Sequence, residues 1–61
     1  MNRNTLKSLR RYLGEIYGIL QYRITANGEV HVYGTMPNTN EVGWYLLGYT
    51  EGPSAVEFMQ R

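Results

Sequence analysis

Apolar residues recur along the first twenty positions of the chain at spacings of three and four residues. The stripe consists of Leu6, Leu9, Leu13, Ile16 and Leu20. Charged residues occupy the positions between, so the pattern predicts an amphipathic helix with one buried face. Asn4 or Thr5 is a plausible N-cap, and Gly18 suits the left-handed position that ends many helices. We therefore expect a helix that stops near Gly18.

The pattern changes from helical to alternating over residues 21–34, where two β-prone segments meet at Asn27 and Gly28. This dipeptide is a strong signal for a β-hairpin. A two-residue loop on Asn27-Gly28 mixes polar and apolar side chains on both faces. A three-residue loop over 26–28, with Gly28 left-handed, separates them, so we favour that register. This register directs one set of side chains toward the core and another set toward the opposite face of the sheet. The inward set is Tyr22, Ile24, Val30 and Val32, and the outward set is Gln21, Arg23, His31 and Tyr33.

Residues 42–49 form a third predicted strand, which is apolar on both faces. Val42, Trp44 and Leu46 alternate with Tyr45, Leu47 and Tyr49. Strands of this kind are normally covered on both sides. A single helix covers only one face of a sheet, so the second face needs another cover.

The last segment, 54–61, has two readings that the sequence leaves open. Pro53 fits the first position of a short C-terminal helix. The same residues also alternate as a fourth strand, and Phe58 and Met59 in them are candidates to cover the second sheet face. The fold class is therefore α+β, a single domain over 1–61. An N-terminal amphipathic helix packs on a three-stranded antiparallel sheet, followed by a short C-terminal helix or a fourth strand.

Composition removes several classes of site. The 61 residues include no cysteine, one histidine (His31) and no aspartate, and the net charge is +1. Disulfides are excluded, and a structural zinc site lacks enough ligands. No nucleophile, phosphate loop or pair of carboxylates has a catalytic spacing. We therefore expect no enzyme, cofactor or small-molecule substrate. The sequence shows no signal peptide and no apolar run near the roughly 20 residues of a membrane span, so we expect a cytoplasmic protein.

The excess of aromatic residues points to a binding role. Six tyrosines, one tryptophan and one phenylalanine occur in 61 residues. Tyr33, Trp44, Tyr45 and Tyr49 cannot all lie beneath one helix, and exposed aromatic patches usually mark contacts with partners. We expect a small regulator or inhibitor that docks on a protein partner through an aromatic sheet surface, and its size fits a phage or mobile-element origin. A homodimer through the helical stripe is a further possibility.

Nucleic-acid binding is the alternative function. The candidate residues are Lys7, Arg10 and Arg11 on the helix and Arg23 and His31 on the hairpin. Basic side chains meet phosphates, and the hairpin face offers groups that contact bases. The opposing reading is that the helical charges only keep a small protein in solution.

The order of three strands followed by a helix, with 44–55 joining the last two elements, resembles three-stranded DNA-binding domains of the integrase-arm and AP2 types. That resemblance implies DNA contacts from the sheet. Sheets of those families usually carry several arginines, whereas this sheet carries only Arg23.

Overall fold

The computed structural model describes residues 3–57, and it contains one helix and one antiparallel sheet. The helix α1 covers Arg3–Ile16, and the strands are β1 (Tyr22–Ile24), β2 (Glu29–Thr35) and β3 (Val42–Tyr49). The sheet order is β1-β2-β3. The predicted α+β arrangement of an N-terminal helix on a three-stranded antiparallel sheet is confirmed.

Helix α1 packs on the sheet through the middle of its apolar stripe. Leu9 and Leu13 are fully buried together with Val30 and Val32 of β2, and these four residues form the core. The ends of the stripe behave differently, because Ile16 is 60% exposed and Leu20 is 84% exposed. A helix seam for homodimerisation is therefore not free, since two of its leucines are buried against the sheet.

The two ends of α1 test the predicted boundaries. The helix includes Asn4 and Thr5, so the predicted N-cap at either residue is wrong. At the other end Gly18 has φ of 109°, as expected for a left-handed stop. The amides of Tyr17 and Gly18 both donate to the carbonyl of Leu13, at 2.8 and 3.3 Å. This turn redirects the chain after α1, so Leu20 of the stripe lies beyond the helix.

The hairpin has the predicted register. Tyr22 pairs with Val32 and Ile24 pairs with Val30 across β1 and β2. The three-residue loop is closed by Thr25, whose amide donates to the carbonyl of Glu29 at 2.9 Å. The hydroxyl of Thr25 accepts the Glu29 amide at 3.1 Å. Gly28 has φ of 84°, so the left-handed position favours glycine there.

A β-bulge in β3 changes which side chains share a face. His31 pairs with Leu46 and Val30 pairs with Gly48, which leaves Leu47 as the extra residue. Beyond the bulge Tyr49 pairs with Glu29. The prediction that Tyr49 lies on the same face as Tyr45 and Leu47 is therefore wrong, because the extra residue shifts the alternation by one position.

The chain after β3 runs along the edge of that strand. Tyr49 donates its amide to the carbonyl of Ser54 at 3.1 Å and accepts the amide of Val56 at 2.9 Å. Val56 packs against the core. Residues 50–57 contain a single bridge at Ala55, so neither a C-terminal helix nor a full fourth strand is confirmed. Phe58 and Met59 lie outside the described residues.

Candidate protein-docking face

The sheet has one face against α1 and one face that no described element covers. We call the second the outer face. Side chains alternate along β2, so the residues that alternate with the buried Val30 and Val32 point to the outer face. Their cross-strand partners lie on the same face. Its members are Arg23, Glu29, His31, Tyr33, Thr35, Val42, Trp44, Leu46 and Tyr49. The large apolar residues among them are all exposed, from 38% for Tyr49 to 62% for Val42.

Trp44 is the centre of an ordered cluster on the outer face. Its ring meets that of Tyr33 edge to face, with centroids 5.8 Å apart and planes at 68°. The guanidinium of Arg23 lies 5.1 Å from the centroid of the indole ring. Aromatic pairs contribute about 0.5–1.5 kcal/mol and exposed cation–π pairs about 0.5–1 kcal/mol. These contacts favour one arrangement of the three large side chains although all three are exposed.

Charged groups border this cluster on the β2 side. The Nε2 atom of His31 lies 3.7 Å from Oε1 of Glu29, and both side chains are about one third exposed. With Arg23 in the same sheet row as His31, the border carries both signs of charge. An exposed pair of this kind contributes little to stability. It places a donor group and an acceptor group side by side on the outer face.

The structure brings together three of the four predicted partner-binding residues. Tyr33, Trp44 and Tyr49 lie on the outer face, whereas Tyr45 pairs with Val32 and packs against the core on the other face. Val42 belongs to the outer face as well, although it was not predicted as a site residue. The strict alternation of residues 42, 44 and 46 is the signal that identifies Val42 and Leu46.

The side chain of Tyr45 is hydrogen-bonded to that of Tyr17. Burial raises the pKa of Tyr17, and a hydrogen bond to the hydroxyl of Tyr45 raises it further, with smaller effects from the nearby phenols. Tyr17 follows directly after α1, so this bond joins the end of the helix to β3. The folded protein therefore holds the Tyr17 proton more tightly than the unfolded chain.

This pKa shift predicts a loss of stability in alkali. Free tyrosine titrates near pH 10. The contribution of Tyr17 is fully present below that pH and is lost as the pH rises through its higher folded pKa. We expect the free energy of unfolding, measured by urea denaturation from about pH 8 to pH 11, to fall less steeply in Tyr17→Phe than in wild type. Parallel pH curves for the two proteins contradict the assignment.

The basic residues do not form one surface. Lys7, Arg10 and Arg11 are exposed on α1, in the layer behind the sheet, and Arg11 lies 3.5 Å from Glu15 as an exposed i, i+4 pair. Arg23 belongs to the outer face on the opposite side. The predicted nucleic-acid residues are therefore divided between two sides of the molecule, with His31 on the side of Arg23.

A cleft of about 440 Å³ opens between α1, the hairpin loop and residues 50–51. Leu6 and Ile24 supply apolar lining, and Arg10 and Glu51 supply opposite charges. Over the described part of the chain no polar or charged side chain is fully buried, and the Thr25 hydroxyl in the cleft lining already accepts the amide of Glu29.

Other kinds of site receive no support from residues 3–57. These residues contain no cluster of three metal-ligating side chains. None of their helices has the length and apolar character that spanning a membrane requires. Comparisons with protein-family models, with curated proteins and with solved structures yield no match, so the outer face has to be interpreted from its own chemistry.

Proposed function

We propose that this chain is a non-catalytic binding protein that docks on a protein partner through its outer face, as a small regulator or inhibitor. The observation that carries the proposal is the exposed Trp44, held between Tyr33 and Arg23 at the middle of the face. Tryptophan, tyrosine and arginine are the residue types most enriched where binding energy concentrates. Leu46, Val42 and Tyr49 extend the apolar area around them.

The contacts within the cluster support this role. Ordering a long side chain at an interface costs about 0.5–1.5 kcal/mol, and side chains that are already held avoid part of that cost. Trp44 and Arg23 constrain each other before any partner arrives. The mixed charges of Arg23, His31 and Glu29 then form a polar rim, the arrangement found around the apolar centre of many interfaces.

Trp44→Ala tests the proposal. We expect this variant to weaken partner binding by about 30- to 1000-fold, which corresponds to about 2–4 kcal/mol for a residue on which binding depends. The folded state remains, because Trp44 lies outside the four-residue core. The measurement is affinity capture from extracts with immobilised wild type and variant. Titration calorimetry of the purified captured protein follows.

The matched control is Ile19→Ala, since Ile19 is also a large exposed apolar residue but lies in the turn between α1 and β1. We expect it to retain the partner. If Trp44→Ala and Ile19→Ala both capture a protein with the same efficiency as wild type, that protein does not bind the outer face. A protein that both lose equally indicates nonspecific hydrophobic adsorption, and either result contradicts the proposal.

Single-stranded nucleic acid is the second candidate ligand for the outer face. The stacked pair of Arg23 and Trp44, beside Tyr33 and His31, favours it, because bases stack on aromatic rings and on guanidinium planes. This reading predicts binding that falls steeply with salt, whereas docking on a protein through apolar contacts depends little on salt. A fluorescence titration with random oligonucleotides at low and physiological salt separates the two. Absence of binding at low salt contradicts the second candidate.

The cytoplasmic location and the phage or mobile-element origin stay predictions. They rest on size and composition, and the geometry of the outer face depends on neither.

A further inference from the structure

Strand β3 has a free edge whose backbone groups can be assigned. It is the last strand in the order β1-β2-β3, so among residues 3–57 only β2 pairs along its length, apart from the bridge between Tyr49 and Ala55 at its end. Tyr33 of β2 donates its amide to Gln21, on the β1 side, at 2.8 Å. Backbone polar groups alternate in direction along an antiparallel pair, so Trp44, the partner of Tyr33, directs its N–H and C=O to the free edge. Val42 and Leu46, two residues away on either side, do the same.

The free part of this edge is bounded at one end. Ser54 and Val56 already bond to the backbone of Tyr49, so the open stretch stops short of Gly48. It offers the N–H and C=O groups of Val42, Trp44 and Leu46, none of which bonds to another element among residues 3–57. Soluble proteins usually protect an edge strand with lysine, proline or an inward charge. The sequence of β3 contains no charged residue and no proline.

We propose that β3 pairs antiparallel with β3 of a second copy of this chain, about a two-fold axis at Trp44, and so forms a continuous six-stranded sheet. In this register Trp44 lies opposite Trp44 of the second copy. Val42 lies opposite Leu46 of the second copy, and Leu46 opposite its Val42. Each of these three pairs exchanges two backbone hydrogen bonds, so the free groups of both edges are all used.

Symmetry and the open length select this register. A two-fold axis perpendicular to the sheet leaves the outer faces of both copies on the same side. Residues that lie opposite each other then belong to the same face, which requires the axis to lie level with one residue of β3 and not between two residues. An axis at Tyr45 or at Gly43 aligns only two pairs of free residues and forms four hydrogen bonds. The axis at Trp44 aligns three pairs and forms six. A heterologous partner strand gains no such match from the symmetry of β3, which is why we assign the edge to a second copy.

The side-chain pairs that this register creates are also favourable. All three outer-face pairs are apolar, and they join residues that are 62%, 41% and 45% exposed in the single chain, for Val42, Trp44 and Leu46. On the inner side Gly43 lies opposite Tyr45 of the second copy, so a ring meets a residue without a side chain. The net charge of +1 gives two copies little mutual repulsion.

Pairing of this kind also enlarges the outer face. At ordinary strand spacings the 3, 7 and 8 residues of the three strands cover about 300 Å², less than half the roughly 800 Å² that each partner buries in a standard interface. A six-stranded sheet presents about twice that area. The inference does not rest on the proposed function, because it follows from the edge of β3 and not from what the outer face binds.

Introduced thiols test the register directly, because the chain has no cysteine of its own. Opposite residues in a hydrogen-bonded pair have Cα atoms about 5.5 Å apart, within disulfide range. We expect an equimolar mixture of Val42→Cys and Leu46→Cys chains to form covalent dimers under mild oxidation. Each single variant alone does not, because its own thiols lie about 13 Å apart across the axis.

Two measurements without cysteine keep the inference testable if the thiol variants misfold. For wild type at high concentration, we expect light scattering to give a molar mass about twice that of the 7.1 kDa monomer. The amides of Val42, Trp44 and Leu46 then exchange more slowly with solvent. Val42→Pro removes one edge N–H without touching the β2 ladder and shifts the protein toward monomer. Tyr33→Ala, on the central strand, leaves the mass doubled.

Three results overturn the inference. The first is a wild type that stays monomeric at its highest soluble concentration. The second is a dimer whose three edge amides exchange as fast as in the monomer. The third is a single cysteine variant that crosslinks with itself as readily as the mixture does.

Discussion

Leu13→Ala is expected to leave much of the chain unfolded at 25 °C. Leu13 is one of the four fully buried apolar side chains among the described residues, and it joins α1 to β2. Truncation of a buried leucine to alanine costs about 2–5 kcal/mol, through lost transfer energy and the cavity left behind. A 61-residue domain has a total stability of only about 3–9 kcal/mol. The measurement is the free energy of unfolding from urea denaturation followed by circular dichroism.

The controls for this variant come from the same apolar stripe. Ile16→Ala and Leu20→Ala change residues that are mostly exposed, so we expect each to alter stability by less than about 0.5 kcal/mol. Periodicity alone ranks Leu13, Ile16 and Leu20 as equal. Similar losses for all three variants would mean that the helix packs along its whole stripe, and the four-residue core would then be wrong.

Gly48→Ala is expected to lower the free energy of unfolding by about 1–3 kcal/mol, the range for inserting a methyl group into packed structure. A Cβ atom at this position falls 2.8 Å from the carbonyl oxygen of Ser54 and 3.0 Å from Cγ2 of Val56. The first contact is with backbone, so the segment that runs beside Tyr49 has to move. Thermal denaturation measures the effect, since about 1 kcal/mol shifts the melting temperature of a domain this small by about 4–8 °C.

Gly34→Ala is the matched control for Gly48→Ala. Gly34 lies in β2 of the same sheet, and a Cβ atom there meets nothing within 4 Å. We expect unchanged or slightly raised stability, because alanine reduces the conformational freedom of the unfolded chain. The hydrogen bonds of Tyr49 with Ser54 and Val56 provide a local readout. The amides of Tyr49 and Val56, which donate these bonds, should exchange faster with solvent in Gly48→Ala and stay protected in Gly34→Ala. Unchanged protection in both variants contradicts the close contact.

Local chemistry explains which predictions from the sequence succeed. The hairpin register depends on residues within a few positions of one another, and only the loop that ends at Gly28 keeps Ile24 and Val30 on one face. The bounds of β3 over 42–49 likewise follow from a continuous apolar run between turn residues. The stop of the helix near Gly18 depends on a single left-handed residue.

Other features depend on contacts between distant segments, and there the sequence pattern is insufficient. The bulge at Leu47 moves Tyr49 to the outer face. Nothing in the alternation of β3 indicates an extra residue, because both faces of the strand are apolar. The run of residues 54–56 along the edge of β3 depends on a close approach to Gly48, which propensity does not encode.

For the candidate site the same division holds. The sequence by itself determined that this small, cysteine-free chain forms a helix and a hairpin, and that its aromatic residues exceed what one helix can cover. Only the tertiary structure decided that Trp44, Tyr33 and Arg23 meet on the uncovered face, that Tyr45 turns to the core and that β3 ends the sheet. The physical reason is that side-chain alternation is a local property of each strand. Which face the helix covers, and which edge stays unpaired, depends on how the strands assemble.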